Sequence, residues 1–222
     1  GFVINDGVTE QNQAHVEAGY HRILALMSDI LATRPFLLGD KPSIADFGLM
    51  GPMLRHFGQD PTPAEIMRDT APLVFAWLGR MWNAKATDYS GDYIDLTTSS
   101  AAGLTSLLKE ISETHLVQLA ENARAYQAQE KKFAMTVQDG QYHNLPVSRY
   151  RVYCLETLRT QFQTLSEAQQ VSVQKQLPFP EATLLWNSDV TADSGYDPEG
   201  LAPYNKAINV FDVYFKVIIL IK

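Results

Sequence analysis

The chain has little cysteine, no basic run and no zinc-finger pattern, and each shortage excludes a class of protein. It holds one cysteine in 222 residues, so no disulfide can form within it, and no Cys-x-x-Cys pair indicates a zinc site. Lysine plus arginine number 18 against 25 for aspartate plus glutamate, a formal charge of −7. Binding to nucleic acid or to an anionic membrane is therefore not expected. The reducing cytoplasm is the expected location.

Apolar residues are plentiful, and they exclude intrinsic disorder as the default. The chain is 45% hydrophobic and 19% charged, enough for one large domain or two small ones. The first ten residues have neither a basic segment nor a long apolar core, so no secretory signal is predicted. The most apolar stretch, 207–222, is too short and too charged for a membrane span of about 20 residues. It is either a buried strand or a tail foreign to the natural protein.

The spacing of apolar residues predicts a mainly α fold. Steps of three and four residues recur along most of the chain, as on the buried face of a helix. An Asp-Gly pair, Asp139-Gly140, lies within an alternating segment and predicts a β-hairpin near 135–142. The predicted helices cover residues 11–34, 44–57, 61–67, 71–82, 104–132, 148–164 and 166–177.

The best local signal is the tetrapeptide Ser43-Ile44-Ala45-Asp46. Its spacing predicts a capping box, in which the serine hydroxyl and the aspartate carboxylate each accept a backbone amide of the first helical turn. Removing such a cap costs about 0.5–2 kcal/mol. Gly39, just before it, is free to adopt a positive φ. Pro52 should bend the helix because it lacks an amide donor.

Composition divides the chain into four parts. Residues 1–85 are predicted to form a helical domain, and 86–102, rich in Ala, Ser, Thr, Gly and Asp, a linker. A helical extension with the hairpin follows over 103–177. Residues 178–222, with several Pro, Asp and Gly, are predicted to be an irregular tail with an apolar C-terminus.

Residues 36–83 resemble the all-helical C-terminal domain of the glutathione S-transferase superfamily. The resemblance rests on Gly39, Ser43, Ala45, Asp46 and Phe47, which match the family pattern of Gly, three residues, Ser or Thr, any residue, Ala, Asp and an apolar residue. The later run APLVFAWLGRM, residues 71–81, continues the likeness. It implies that Gly39, Ser43 and Asp46 form a structural motif for helix initiation and core folding, and that a homodimer is possible, as in the family.

The resemblance also implies a function and its limit. Full-length family members bind glutathione, their co-substrate, on an N-terminal thioredoxin-like domain, and no βαβ pattern precedes Gln11. No catalytic or cofactor-binding residue is therefore assigned. The chain is expected to be the electrophile-side helical domain of a transferase whose intact form joins glutathione to an electrophilic small molecule, and to be inactive alone. The alternatives are a non-catalytic helical module that binds a partner protein and a stand-alone carrier of a small ligand.

Other reactive side chains receive structural interpretations. Cys154 is predicted to be a small core residue; a thiolate nucleophile activated by Arg149 and Arg151 is the alternative. The five histidines lie far apart and predict no metal site. An acidic cluster near the end of the chain consists of Asp189, Asp193, Ser194, Asp197 and Glu199. Its spacing departs from that of a calcium loop, so a solvated loop is preferred. The three tryptophans are expected in the core or at a domain contact.

Overall fold

The computed structural model describes residues 7–95, 103–186 and 193–196. These residues are mostly helical, with a two-stranded antiparallel sheet, which confirms the predicted fold class. The first four helices are α1 (Gln13–Leu31), α2 (Ile44–Pro52), α3 (Pro61–Thr70) and α4 (Pro72–Asn83). The later elements are α5 (Leu104–Ile111), α6 (Val117–Gln127), β1 (Lys132–Val137), β2 (Gly140–Pro146), α7 (Arg149–Gln163) and α8 (Glu167–Gln176).

Helices α1 to α4 enclose the largest hydrophobic core. The buried side chains come from α1, α3 and α4, from the turn after α1, from Met53 just beyond α2 and from α5. Helix α2 itself adds side chains that are only partly buried. Trp77 of α4 is fully buried at its centre. Around it lie Leu24, Met27, Ile30, Phe36, Leu37, Met53, Met67, Val74, Leu78 and Met81.

Two helices change pitch where the sequence weakens the regular hydrogen-bond pattern. Pro52 ends α2, and the chain continues as a π-helix over Met53–Phe57. A proline has no amide to donate, so widening of the next turn follows. The predicted helix over 104–132 is likewise divided into α5 and α6 by a π-helix, Ser112–Leu116. There the Ser112 and Thr114 hydroxyls donate to the carbonyls four residues earlier, a contact that bends helices.

The hairpin lies where it was predicted, but its turn is one residue earlier than the Asp-Gly pair suggests. Val137 pairs with Gly140, so Gln138 and Asp139 form the two-residue loop and Gly140 begins β2. Gln138 takes the left-handed φ of +53°. Gly140 is instead required for packing, because a Cβ there would lie 2.5 Å from Nδ1 of His15 in α1.

Helices α6 and α7 form a second, smaller core. Leu119 and Ala123 of α6 pack against Val152 and Leu155 of α7. The side chain of Asn122 joins the two helices, since it donates to the Ser148 carbonyl at 2.9 Å and accepts from the Ser148 amide at 2.7 Å. The hairpin covers the other side of α6 with Phe133, Val137, Tyr142 and Leu145.

The later half of the described chain is bonded to the first. Leu107 of α5 belongs to the core of α1–α4, and Arg22 of α1 pairs with Glu110 of α5 at 3.1 Å. The predicted linker contributes a 3-10 turn, Ala86–Asp88, and the predicted tail another, Pro180–Leu185. Residues 207–222 lie outside the described residues. None of the described helices combines the length and hydrophobicity needed to cross a membrane.

Candidate functional site

The turn between α1 and α2 is held by a close backbone approach at Gly39. This glycine has a φ of +142°, and a Cβ on it would lie 2.4 Å from the Asp92 carbonyl oxygen. Hydrogen bonds flank the contact, from the Asp40 amide to the Asp92 carbonyl at 3.0 Å and from the Ile94 amide to the Leu38 carbonyl at 2.8 Å. Gly39 therefore fits for two reasons, its positive φ, which was predicted, and its lack of a side chain.

The predicted capping box is present at the start of α2. The Asp46 Oδ2 atom accepts from the Ser43 amide at 2.9 Å and from the Ser43 hydroxyl at 2.6 Å. In return, Ser43 Oγ accepts from the Asp46 amide at 3.4 Å. Both side chains are buried, so the hydrogen bonds of the capping box are shielded from water.

The same carboxylate also binds two groups from other parts of the core. Its Oδ1 atom accepts from the Leu37 amide at 2.9 Å and from Nε1 of Trp77 at 3.0 Å. Asp46 therefore joins the turn after α1, the start of α2 and the middle of α4. Hydrogen bonds to an ionised acceptor are among the stronger ones in proteins, and a buried charge needs such partners.

Arg34 contributes positive charge near this group. Its Nε donates to the Leu37 carbonyl at 2.8 Å, and one guanidinium nitrogen is buried with no hydrogen-bond partner in the described part of the chain. Burial lowers the pKa of Arg34, while the negative charge of Asp46 acts to raise it. The two opposite charges thus lie close enough to interact.

This geometry has a direct chemical consequence. Asp46 is fully buried, and four donors occupy its two oxygens. A general acid or base must reach its substrate. The carboxylate has no free surface with which to do so, and what the arrangement can do is fix the relative positions of α1, α2 and α4.

Beside this buried group, α2 presents an exposed apolar face. Ile44 is 90% exposed and Phe47 59% exposed. Gly48 and Gly51 continue the same helical stripe, and no atom lies within 4 Å of an added Cβ at either. Among the described residues, no other helix approaches α2 at these two glycines.

A second apolar surface lies where the end of α2 meets α4. It forms an open cavity of about 280 Å³ beside Trp82, which is 70% exposed. Its other lining residues are Leu54, Gly58, Gln59, Phe75, Leu78 and Gly79. Trp82 therefore lies outside the core, whereas Trp77 lies inside it. The third tryptophan, Trp186, is half-buried and packs against the Phe162 ring.

The remaining candidate residues that the structure describes do not contact the hydrogen-bond network of Asp46. Cys154 is half-buried beside the core of α6 and α7. Among the residues that the structure describes, no group of three or more His, Cys, Asp or Glu side chains has the arrangement of a metal site. Of the acidic cluster, Asp193 and Ser194 are described, and Asp189, Asp197 and Glu199 lie outside the described residues.

Two partners of Asp46 were not anticipated from the sequence, the Leu37 amide and the Trp77 indole. For Trp77 there was a signal, because a buried indole N–H needs an acceptor and few side chains near the centre of an apolar core supply one. For Leu37 there was none, since a backbone amide in a turn can bond to many groups.

The comparison with protein families agrees with this geometry. Residues 10–80 match the family described as glutathione S-transferase, C-terminal domain. This segment is therefore similar to the helical domain of that family. It contains α1, α2, α3 and most of α4, together with Gly39, Ser43, Asp46 and Trp77. The match covers about a third of the chain. Comparisons with curated proteins and with solved structures found no match.

Proposed function

We propose that the chain is the helical, electrophile-side part of a glutathione S-transferase-like protein. Its intact form would join the thiolate of glutathione to an electrophilic small molecule. The family match over residues 10–80 carries this proposal, and the hydrogen-bond network of Asp46 supports it, because that network holds the same segment in one compact core. We place the protein in the cytoplasm, where its single thiol would stay reduced, and allow a homodimer as in the family.

We further propose that this chain does not catalyse the transfer by itself. Its buried carboxylate is closed to substrates, and the sequence offers no residue that matches the glutathione-binding positions of the family. The test is a conjugation assay on the purified chain with glutathione and a halogenated aromatic. The expected rate equals that of the uncatalysed reaction. Turnover that rises in proportion to the amount of chain would contradict the proposal.

A second candidate is the non-catalytic module that binds a partner protein. The exposed Ile44 and Phe47 favour it, because monomeric proteins seldom leave neighbouring large apolar side chains uncovered. A genomic sequence upstream of Gly1 distinguishes the two candidates. A thioredoxin-like strand–helix–strand pattern there would support the transferase, and a start codon directly before Gly1 would support the module.

A further inference from the structure

A short piece of the chain, Asp193–Tyr196, lies against one face of α7, to which it is bound by hydrogen bonds and ring contacts. We propose that this face is a binding site for a peptide turn containing serine, glycine and an aromatic residue in sequence, and that the chain fills the site with its own residues. The inference goes beyond the proposed transferase function and does not depend on it.

The receiving surface is built from residues one and two turns apart on α7. Arg149, Tyr153 and Glu156 are spaced four and three residues apart, which places them on one side of the helix. A cation, an aromatic ring and a carboxylate are thus aligned over two turns. They form a surface that can recognise both backbone and side-chain groups.

Glu156 recognises the serine through both of its oxygens. Its Oε1 accepts from the Ser194 amide at 2.6 Å, and its Oε2 accepts from the Ser194 hydroxyl at 2.6 Å. Charge-assisted bonds of this length are strong, and the pair requires a donor on the side chain as well as on the backbone. A residue without a hydroxyl would lose one of the two bonds.

Arg149 binds the other edge of the turn. Its Nε donates to the Ser194 carbonyl at 2.6 Å, and a terminal nitrogen donates to the Gly195 carbonyl. Gly195 has a φ of +52°, and a Cβ added there would lie 3.5 Å from the guanidinium. Glycine suits this position, because a positive φ is strained for most other residues.

The aromatic residue completes the contact. The Tyr196 ring lies 5.0 Å from that of Tyr153 and 5.4 Å from that of Tyr150, and the Arg149 guanidinium lies 5.9 Å from the Tyr196 ring centre. Such ring pairs and cation–π contacts each add to binding beyond the area that they bury.

The turn lies on the surface of α7, as a bound ligand would, because most of its residues are exposed. Of its four residues, Ser194 is buried and Asp193, Gly195 and Tyr196 are exposed. A cavity of about 520 Å³ continues along α7 beside it, next to Thr157, Thr160 and Gln161. This space would admit a peptide longer than four residues.

Because Asp193–Tyr196 is part of the same chain, it should compete with a free peptide, which we therefore expect to bind the natural chain weakly. A segment on a short linker competes at an effective concentration in the millimolar range. Removing its anchors should therefore increase the affinity for a free peptide at least tenfold. We would open the site with the double variant Ser194→Glu/Tyr196→Ala, which places a second carboxylate against Glu156 and removes the ring.

The probe is a fluorescein-labelled peptide of sequence TADSGYDP, and the readout is fluorescence anisotropy with the full chain. We expect the opened chain to bind it at least tenfold more tightly than wild type. Adding Glu156→Gln should weaken that binding at least tenfold, because it removes the charged acceptor. Glu167→Gln on α8 is the matched control and should leave the binding unchanged. Circular dichroism should show the same helix content in all variants. A peptide with alanine in place of serine should bind more weakly.

Two results would overturn the proposal. One is an opened chain of unchanged helix content that does not bind the peptide at about 1 mM. The other is binding that Glu156→Gln and Glu167→Gln affect equally. If the opened chain does not fold, amide exchange in the wild-type chain decides. Excess peptide should displace the internal turn and accelerate exchange of the Ser194 amide, and no acceleration would refute the site.

Discussion

The carboxylate of Asp46 is surrounded by the Leu37 and Ser43 amides, the Ser43 hydroxyl and the Trp77 indole. Replacing it with the isosteric Asn puts an amide NH₂ where one carboxylate oxygen accepts two donors. Each buried donor left without an acceptor costs about 1–3 kcal/mol. We expect Asp46→Asn to lower the free energy of unfolding in urea by about 3 kcal/mol or more.

Asp60 offers a matched control. It occupies the N-cap of α3, yet its side chain makes no capping hydrogen bond and is exposed. Asp60→Asn should change the free energy of unfolding by no more than about 0.5 kcal/mol. Equal effects of the two substitutions would show that the network of Asp46 does not stabilise the fold.

Two glycines should respond to alanine in opposite directions. At Gly39 the added Cβ meets the Asp92 carbonyl and the φ of +142° is strained, so destabilisation by more than about 2 kcal/mol is expected. At Gly48, inside α2 and with open space around it, alanine should stabilise by about 0.5–1 kcal/mol. Thermal melts of the two variants test this. A stable Gly39→Ala variant would contradict the close approach to Asp92.

At the scale of elements, the hairpin is fixed to α1 by His15. The imidazole Nδ1 lies 2.7 Å from the Tyr142 hydroxyl, and its Nε2 lies 3.2 Å from Oε1 of Gln138. The missing side chain of Gly140 makes room for the ring. The contact explains why a glycine follows the turn although the turn itself does not require one.

A double-mutant cycle measures this contact. Gly140→Ala should destabilise the wild-type chain by about 1–3 kcal/mol, because the added methyl overlaps the His15 ring. In a His15→Ala background the same change should cost clearly less, since the obstructing ring is gone. Urea unfolding of the four proteins gives the coupling energy. Additive effects would mean that the hairpin does not depend on this contact.

The types of the helical and hairpin elements could be predicted because their signals are local. The capping box needed four residues, and α1 and α4 needed only their apolar spacing. The break in the predicted helix over 104–132 was missed because Ser112 and Thr114 form their carbonyl bonds only within a helix that already exists. The hairpin turn lies one residue earlier than the Asp-Gly pair suggests, because Gly140 packs against His15, which is distant in the sequence.

At the scale of the whole molecule, α5, the first of the later helices, packs into the core of α1–α4. Leu107 of α5 is buried among the side chains of α1–α4. Leu107→Ala should cost about 2–5 kcal/mol and lower the melting temperature of both halves together. Far-UV circular dichroism and tryptophan fluorescence should then give coincident transitions. Two separate transitions would indicate that the halves fold independently.

Acid should weaken the polar cluster of Arg22, Lys109, Glu110, Glu113 and Gln138, which links α1 to α5 and to the hairpin. Burial acts to raise the pKa of Glu113, but hydrogen bonds from Lys109 and Gln138 and the charges of Lys109 and Arg22 outweigh it, so its pKa lies below the usual value. A lowered folded-state pKa stabilises the protein above the unfolded-state pKa, and this contribution is lost as pH falls through the folded-state pKa.

The stability difference between wild type and Glu113→Gln should therefore be larger at neutral pH than in acid. Urea unfolding at several pH values measures it. Glu65→Gln serves as the control, since Glu65 is exposed on α3 and forms no ion pair within the part of the chain that the structure describes. A difference for Glu113→Gln that stays constant with pH would contradict this electrostatic role.

The sequence by itself determined the mainly α composition, the hairpin, the capping box and the likeness of residues 36–83 to a transferase helical domain. Each depends on residues within a few positions of one another, where propensity, capping and periodicity act. Only the tertiary structure decided that Asp46 also accepts hydrogen bonds from Leu37 and Trp77, that the backbones of Gly39 and Asp92 lie in contact, and that α7 binds Asp193–Tyr196. Those contacts join segments far apart in the chain, and local spacing holds no information about which distant donor or backbone a folded side chain will meet.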